Sequence, residues 1–361
     1  MEKTGQQKNN FQDFGIIEKI LDEARFAPSG DNLQPWRFEK ISPLHFAVHG
    51  FRSEGETLDR NGLMSALAIG GLLESISIAA SRYGFAVKSV FCKNTDEFAL
   101  YDIFLSKKDI NIDPLAQYLT RRYTHRRILN RHCLSIEEKM FLERSVSGQL
   151  DVHWIEGKNR DNFARFLFRA GKLRLILPEM QKFYLKIIEK GARVSIDRIP
   201  DKALGLDLFL VRIIHLLLKY PRVMNFLNAY FAGTLLVRFE VDFLTGYFTG
   251  AHFFITVSSK PKTVEDYAQI GRMIQRFWLS ATKLGFFIQP EMAALIFSKD
   301  INEGKLFTTH KGADSLAKEI RGKLEHFLDI EKTVFVGRIG KGKDINTRSL
   351  RKPLDDLWYK T

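Results

Sequence analysis

Phosphate is held by fixed cations and by hydroxyl or amide donors, and arginine is the side chain that grips it through two parallel hydrogen bonds. Both kinds of group crowd into Arg121-Arg122-Tyr123-Thr124-His125-Arg126-Arg127, inside the most basic stretch of the chain, residues 116–134. A second concentration of polar groups lies at Pro28-Ser29-Gly30-Asp31-Asn32-Leu33-Gln34. Short polar side chains and a flexible glycine there suit a backbone that wraps a ligand. By residue type alone, the first stretch is also readable as a solvated basic loop and the second as an ordinary connection.

The elements that must position these groups follow from apolar spacing. Ile16, Ile17, Ile20, Leu21 and Ala24 recur at helical period, and the helix must stop at Ala27-Pro28, because a residue before proline is pushed out of the α region. Arg37–Lys40 reads as a strand and His45–Gly50 continues a β pattern. A long helix is expected from Leu58 to Tyr83 with Gly84 as its C-terminal cap, then two strands between Phe85 and Leu105. Ser135 with Glu138 three residues on predicts a capping box opening a helix that ends near Ser145. Residues 152–155 and 251–257 read as strands, 264–284 as a helix and 334–337 as a late strand. Residues 160–240 read as helical, broken by Pro178, Pro200 and Pro221. Ile69-Gly70 through Gly84-Phe85 matches Ile270-Gly271 through Gly285-Phe286 without a gap, at an offset of 201 (270 − 69). A weaker echo relates Ala24–Trp36 to Leu142–Trp154, and together they predict a tandem duplication.

The 361 residues suffice for one large domain or two smaller ones, and 45% hydrophobic with 27% charged residues marks a globular chain. The net charge of +13 suits anionic ligands, but the basic residues are scattered, so nucleic acid is not expected as a partner. Two cysteines, Cys92 and Cys133, leave no disulfide framework, and no metal site is expected; His125, His132 and Cys133 read as polar members of a basic loop. No secretory signal is visible at the N-terminus, so the chain reads as cytoplasmic. The apolar stretch 209–237 is interrupted by Arg212, His215, Lys219 and Arg222, so no transmembrane span is expected, and peripheral membrane contact stays open. Its helices read as a lid over a pocket or as a seam between two halves. GxSxG and GxxxxGK[ST] motifs are absent. Gly337-Arg338-Ile339-Gly340 does follow a strand, but a proline-bearing tail follows it in place of a helix, which puts Arg338 outside the expected site.

Ala27-Pro28-Ser29-Gly30-Asp31-Asn32-Leu33-Gln34-Pro35-Trp36-Arg37-Phe38 resembles the signature loop of the nitroreductase family, which binds FMN. Arg122, Thr124 and Arg126 resemble that family's Arg-x-Ser/Thr-x-Lys/Arg phosphate motif. Arg348 to Asp355 resembles its C-terminal segment, with Arg351 the better match and Arg348 assisting. Gly285 to Glu291 resembles the turn over the flavin ring, where backbone groups of Ile288, Gln289, Pro290 and Glu291 are expected to matter more than side chains. The arginine motif follows the loop here instead of preceding it. That order, with the phrase Asp197 to Asp207, resembles the duplicated Acg-like branch of the family.

The resemblance implies an α+β nitroreductase-like fold, duplicated into a pseudo-dimer within one chain. The halves would be residues 1–115 and 116–361, the second carrying a helical lid insertion at about 160–240. FMN would be bound through Pro28, Ser29, Gly30, Asn32, Gln34, Arg122, Thr124, Arg126, Ile288–Glu291, Arg348 and Arg351, with no catalytic side chain required. The implied activity is hydride transfer from NAD(P)H through FMN to a small conjugated acceptor, by a monomer or homodimer. The alternative is a flavin-storing protein with a closed lid and no turnover.

Overall fold

The structure is a computed structural model that describes residues 15–52, 58–59, 61–92, 98–146, 148–207, 211–212, 220, 234–304 and 308–360. The expectation for 209–237 falls outside these, apart from 211–212, 220 and 234–237.

The chain is an α+β protein built around two antiparallel four-stranded sheets. The first contains β1 (Trp36–Ser42), β2 (His45–Gly50), β3 (Phe85–Phe91) and β4 (Ala99–Lys107), in the order β1-β2-β4-β3. The second contains β5 (Leu150–Ile155), β9 (Ala251–Val257), β10 (Phe287–Pro290) and β11 (Thr333–Gly340), in the order β5-β9-β11-β10. Counted along the chain, both sheets run first-second-fourth-third. Each is preceded by a short helix, α1 (Ile16–Ala24) or α3 (Ile136–Arg144), and α3 does open on the Ser135–Glu138 capping box. Each also has a long helix between its second and third strands, α2 (Leu63–Ser81) or α7 (Val264–Lys283).

The two long helices hold the sheets together. α2 is apolar nearly all round and almost wholly buried, as a central core helix must be. By length and composition it could cross a membrane, but 78% of its apolar window is buried inside the protein. α2 starts at Leu63, later than the expected Leu58, because Asp59 accepts hydrogen bonds from the backbone N–H groups of Met64 and Ser65 (2.8 and 3.0 Å). A Cβ on Gly70 would overlap the Ala268 carbonyl, and one on Gly271 would overlap the Leu67 carbonyl. The 201 offset turns each of these contacts into the other. It does the same for two polar contacts: Gln275 Nε2 donates to Ser75 Oγ (2.9 Å), and Arg276 Nη1 donates to Glu74 Oε1 (2.8 Å). Contacts that interconvert in this way define a local two-fold axis between the helices.

Between β5 and β9 lie α4 (Gly157–Ile176), α5 (Pro178–Ile187) and α6, which joins Leu235–Arg238, a π-helical turn Phe239–Leu244 and Thr245–Tyr247. The region is not helical throughout as expected. Pro178 opens α5 instead of only breaking a helix, and the chain from Ile188 to Pro200 forms three two-residue strands, β6 (Ile188–Glu189), β7 (Val194–Ser195) and β8 (Ile199–Pro200). α4 packs with α8 (Ala293–Asn302) and α9 (Ala313–Leu324) around Phe163, Leu173, Phe297 and Leu324. β12 (Arg348–Ser349) pairs with β7, and the tail then crosses back to the first half. Leu354 and Leu357 are buried in the first core, and Tyr359 N–H donates to Phe38 O at 2.7 Å.

Candidate functional site

The expected binding loop is bent into a conformation that L-residues rarely adopt. Asp31, Asn32 and Gln34 have φ of 46°, 66° and 51°, three non-glycine residues in the left-handed region within four positions. Strain of this kind persists only where surrounding contacts hold it. Arg351 supplies part of the hold. Its Nε and Nη2 donate to Ala27 O (3.0 and 2.7 Å), and its Nη1 donates to Asn32 Oδ1 (2.8 Å). Gln34 supplies the rest: Nε2 donates to Ile196 O (2.9 Å) and Asn32 O (3.0 Å), and Oε1 accepts from Lys352 N–H (2.9 Å).

The loop forms one wall of a cavity of ≈ 450 Å³, between α2, α7, β10 and the inserted helices α4–α6. That volume lies in the usual range for cofactor pockets, about 300–1,000 Å³. Of the residues named from the sequence, Pro28, Ser29, Gly30, Arg122, Thr124, Arg126, Gln289, Pro290, Glu291 and Arg351 line it. Much of the remaining wall is apolar, with Met64, Leu67, Ile274 and Trp278. A smaller cavity of ≈ 30 Å³ shares Ser29, Arg122, Thr124, Arg126 and Arg351 with the first and adds Asn32, Arg348 and Ser349. Four arginines and five hydroxyl side chains line it, with no carboxylate among its lining residues.

These arginines sit at an electrostatic cost. Burial, with Arg351 nearby, pushes the Arg122 pKa well below the ordinary guanidinium value. Burial pushes Arg351 down to about 10, with Arg25 and Arg126 adding to it. Burial also lowers Arg126, against the pull of Asp31. Arg122 lies over the Trp278 ring (4.7 Å) and donates to Phe26 O (2.7 Å), while its Nε has no hydrogen-bond partner. Mutually repelling cations beside an unsatisfied donor are what an anionic ligand would relieve.

Two expected residues lie elsewhere. Gln34 braces the loop without lining either cavity. Ile288 is fully buried, and its carbonyl accepts from His125 N–H (3.4 Å). The Glu291 N–H is likewise taken by Val336 O (2.8 Å). These two backbone groups are therefore taken up within the fold, while Gln289 and Glu291 line the cavity. His125 is also no solvated loop residue. It is 1% exposed, packs against Phe287, and burial lowers its pKa.

Arg338 requires the clearest correction, because it lines the large cavity instead of lying outside it. It donates to Thr245 Oγ1 (2.9 Å), Glu291 Oε1 (3.3 Å) and Arg126 O (3.2 Å). Glu291 also meets His252 Nδ1 at 2.7 Å, and His252 Nε2 donates to Gly246 O at 3.1 Å. Burial opposes the Glu291 charge, yet His252 and Arg338 hold its pKa below the usual carboxylate value. Sequence reading also missed Asp31 as a wall residue, and Arg174, Gln181, Tyr184 and Asp242 on the inserted helices. The signal available for Asp242 was an acid set between apolar neighbours in Phe239-Glu240-Val241-Asp242-Phe243-Leu244.

No family model matches this chain, and no curated protein matches it. Among solved structures it is similar to the nitroreductase-like family protein from Bacillus cereus, at 11% identity and a TM-score of 0.34, covering 70% of this chain and 98% of that one. With so loose a superposition, the cavity residues themselves carry the functional reading.

Proposed function

We propose that this chain is an FMN-dependent, nitroreductase-like oxidoreductase, a tandem duplication folded as a pseudo-dimer, with halves 1–115 and 116–361 and an insertion at about 160–240. The observation that carries the reading is the small, carboxylate-free cavity ringed by Arg122, Arg126, Arg348 and Arg351, sharing walls with a larger and mainly apolar one. A ligand with a phosphate at one end and a flat apolar body at the other meets both. FMN fits this description, and the unpartnered Arg122 Nε gives its phosphate a waiting donor.

Arg122 and Arg351 would hold the phosphate, with Arg126, Arg348, Ser29 and Thr124 around it. Trp278, Ile274, Leu67 and Met64 would exclude water from the ring, and Gln289 and Glu291 would flank it. When bound, FMN supplies the hydride-carrying chemistry, taking hydride from NAD(P)H and passing it to a small conjugated acceptor. The chain completes the site without a partner chain, so one FMN per chain is expected whether it is a monomer or a homodimer, and cytoplasmic residence goes with the nicotinamide donor.

Fluorescence titration tests the reading directly. FMN should bind at one per chain, and Arg122→Ala and Arg351→Ala should each lose roughly tenfold to hundredfold in affinity, the equivalent of a charge-assisted hydrogen bond of about 1.5–3 kcal/mol. Unchanged affinity in both variants would discard the phosphate assignment. The inserted helices line much of the large cavity through Leu167, Arg174, Tyr184 and Val241. This favours one second reading, a flavin store with the ring covered. Anaerobic mixing with NADH or NADPH separates the two: prompt bleaching of bound flavin belongs to the enzyme, and its absence at saturation belongs to the store.

A further inference from the structure

The inserted helices bring a second polar cluster to the large cavity, separate from the arginines around the small one. Arg174 of α4 donates from Nη2 to Asp242 Oδ1 (2.7 Å) and from Nη1 to Tyr184 Oη (3.4 Å). Asp242 sits in the π-helical turn of α6, and such turns recur at functional sites because the extra residue re-aims a side chain. Its other oxygen, Oδ2, lies against Gly171, where any Cβ would overlap it. Gly171 is therefore needed to let the carboxylate approach the cavity. All four residues, Gly171, Arg174, Tyr184 and Asp242, line the cavity, and so does Gln181.

Two hydrogen-bond acceptors in this cluster lack a donor. Arg174 is already neutralised by Asp242, so the cluster does not call for an anion. Asp242 Oδ2 and Gln181 Oε1 are buried without partners, and both are acceptors. The amide of Gln181 cannot be turned to change this, because its Nε2 donates to Leu175 O (3.0 Å), which can only accept. Tyr184 Oη accepts from Arg174 and keeps its own O–H to donate. Two acceptors and one hydroxyl donor on one wall complement a group that carries N–H beside a carbonyl.

We propose that Asp242, Gln181 and Tyr184 form a subsite for an amide or imide edge, N–H to the two acceptors and carbonyl to the tyrosine. The proposal rests on the FMN reading above, and two ligands of such a site carry this chemistry: the imide of a flavin ring and the carboxamide of a nicotinamide. A site built to hydrogen-bond an N–H rejects an analogue that lacks it, since its own buried acceptors are then left unpaired.

The experiment compares matched ligands on the full chain. In the first arm, FMN and N3-methyl-FMN are titrated by fluorescence. In the second, the FMN-loaded protein is titrated with oxidised nicotinamide dinucleotide and with its 3-acetylpyridine analogue. Discrimination of about tenfold or more in the first arm assigns the subsite to the flavin imide, and in the second to the nicotinamide carboxamide. In either case Tyr184→Phe and Asp242→Asn should shrink the ratio, while FMN remains sensitive to Arg122→Ala. Equal binding within both pairs, or a ratio unchanged in both variants, overturns the subsite and leaves the cofactor reading standing. Failure of both flavins to bind overturns the cofactor reading, and this inference with it.

Discussion

The two ends of the α2–α7 pair are built from corresponding positions and treat charge in opposite ways. At one end α2 presents Gly71, close to Pro28 of the strained loop, and the cavity lies beyond. At the other end the 201 offset places Arg272 where Gly71 would be and Arg276 where Ser75 would be. Arg272 spans the gap to Ser89 Oγ (3.2 Å), Ser77 Oγ (3.1 Å) and Glu74 Oε2 (3.2 Å), and Arg276 adds Asp113 Oδ2 at 3.0 Å. The guanidinium groups there are neutralised from within the fold. At the cavity end, Arg122, Arg126 and Arg351 are buried beside one another. The loops differ in the same sense: Asp31, Asn32 and Gln34 are left-handed, whereas among the described residues of that loop's echo only Gly148 has a positive φ. Strain and unbalanced charge occur together at one end of a nearly symmetric scaffold, and there we place the ligand.

The largest expected effect tests whether the buried charges at the cavity end stabilise the fold or depend on one another. Arg338→Ala would leave Glu291 and His252 buried without their third partner, at a cost of about 3–5 kcal/mol. Arg272→Ala at the opposite end leaves Glu74 still paired with Arg276 and should cost about 1 kcal/mol or less. Urea denaturation of the two variants side by side measures the difference. Equal losses would remove the contrast between the ends.

The local two-fold axis makes a prediction of intermediate size. Gly70→Ala and Gly271→Ala each push a methyl group into a backbone carbonyl that cannot swing aside, so each should cost about 2–3 kcal/mol, at the upper end of overpacking penalties. Symmetry requires the two losses to match. A tolerated alanine at one position beside a severe loss at the other would show that the axis describes helix crossing only loosely.

What could be read in the chain beforehand follows from how local the signals are. The loop 28–34 and the run 121–127 were legible because several polar groups of the needed kind stand within a few residues. The strands of the two four-stranded sheets, β10 excepted, were legible from alternation or apolar runs, and α3 from a cap that spans only three positions. Arg338 was not, because it lies mid-strand and its partners come from Thr245, Glu291 and the 126 carbonyl, none of them near it in sequence. Arg174 was hidden for the same reason, because its partner Asp242 lies on α6, 68 positions beyond it. The tail's return to the first core is hidden for a similar reason, since a few apolar residues at 354–358 carry no mark of the core they join.

The smallest expected effect concerns Asp31, which the echo of the loop replaces with the exposed Gln149. Burial raises the Asp31 pKa, and Arg126 and Arg174 offset only part of that. A folded-state pKa above the unfolded value of about 3.9 means that folding favours the protonated acid. The associated stability is complete below the unfolded pKa and is lost as pH rises through the folded one. Asn tolerates the left-handed backbone at this position, so Asp31→Asn removes the titration without adding strain. Denaturation curves of ligand-free wild type and variant should therefore coincide in acid and separate toward neutrality, with the variant the more stable. Gln149→Asp, which adds a solvated carboxylate at the corresponding exposed position, should show no such divergence. If the two substitutions gave the same pH dependence, Asp31 would be as well hydrated as its counterpart, and the loop would lose its place in a shielded cavity.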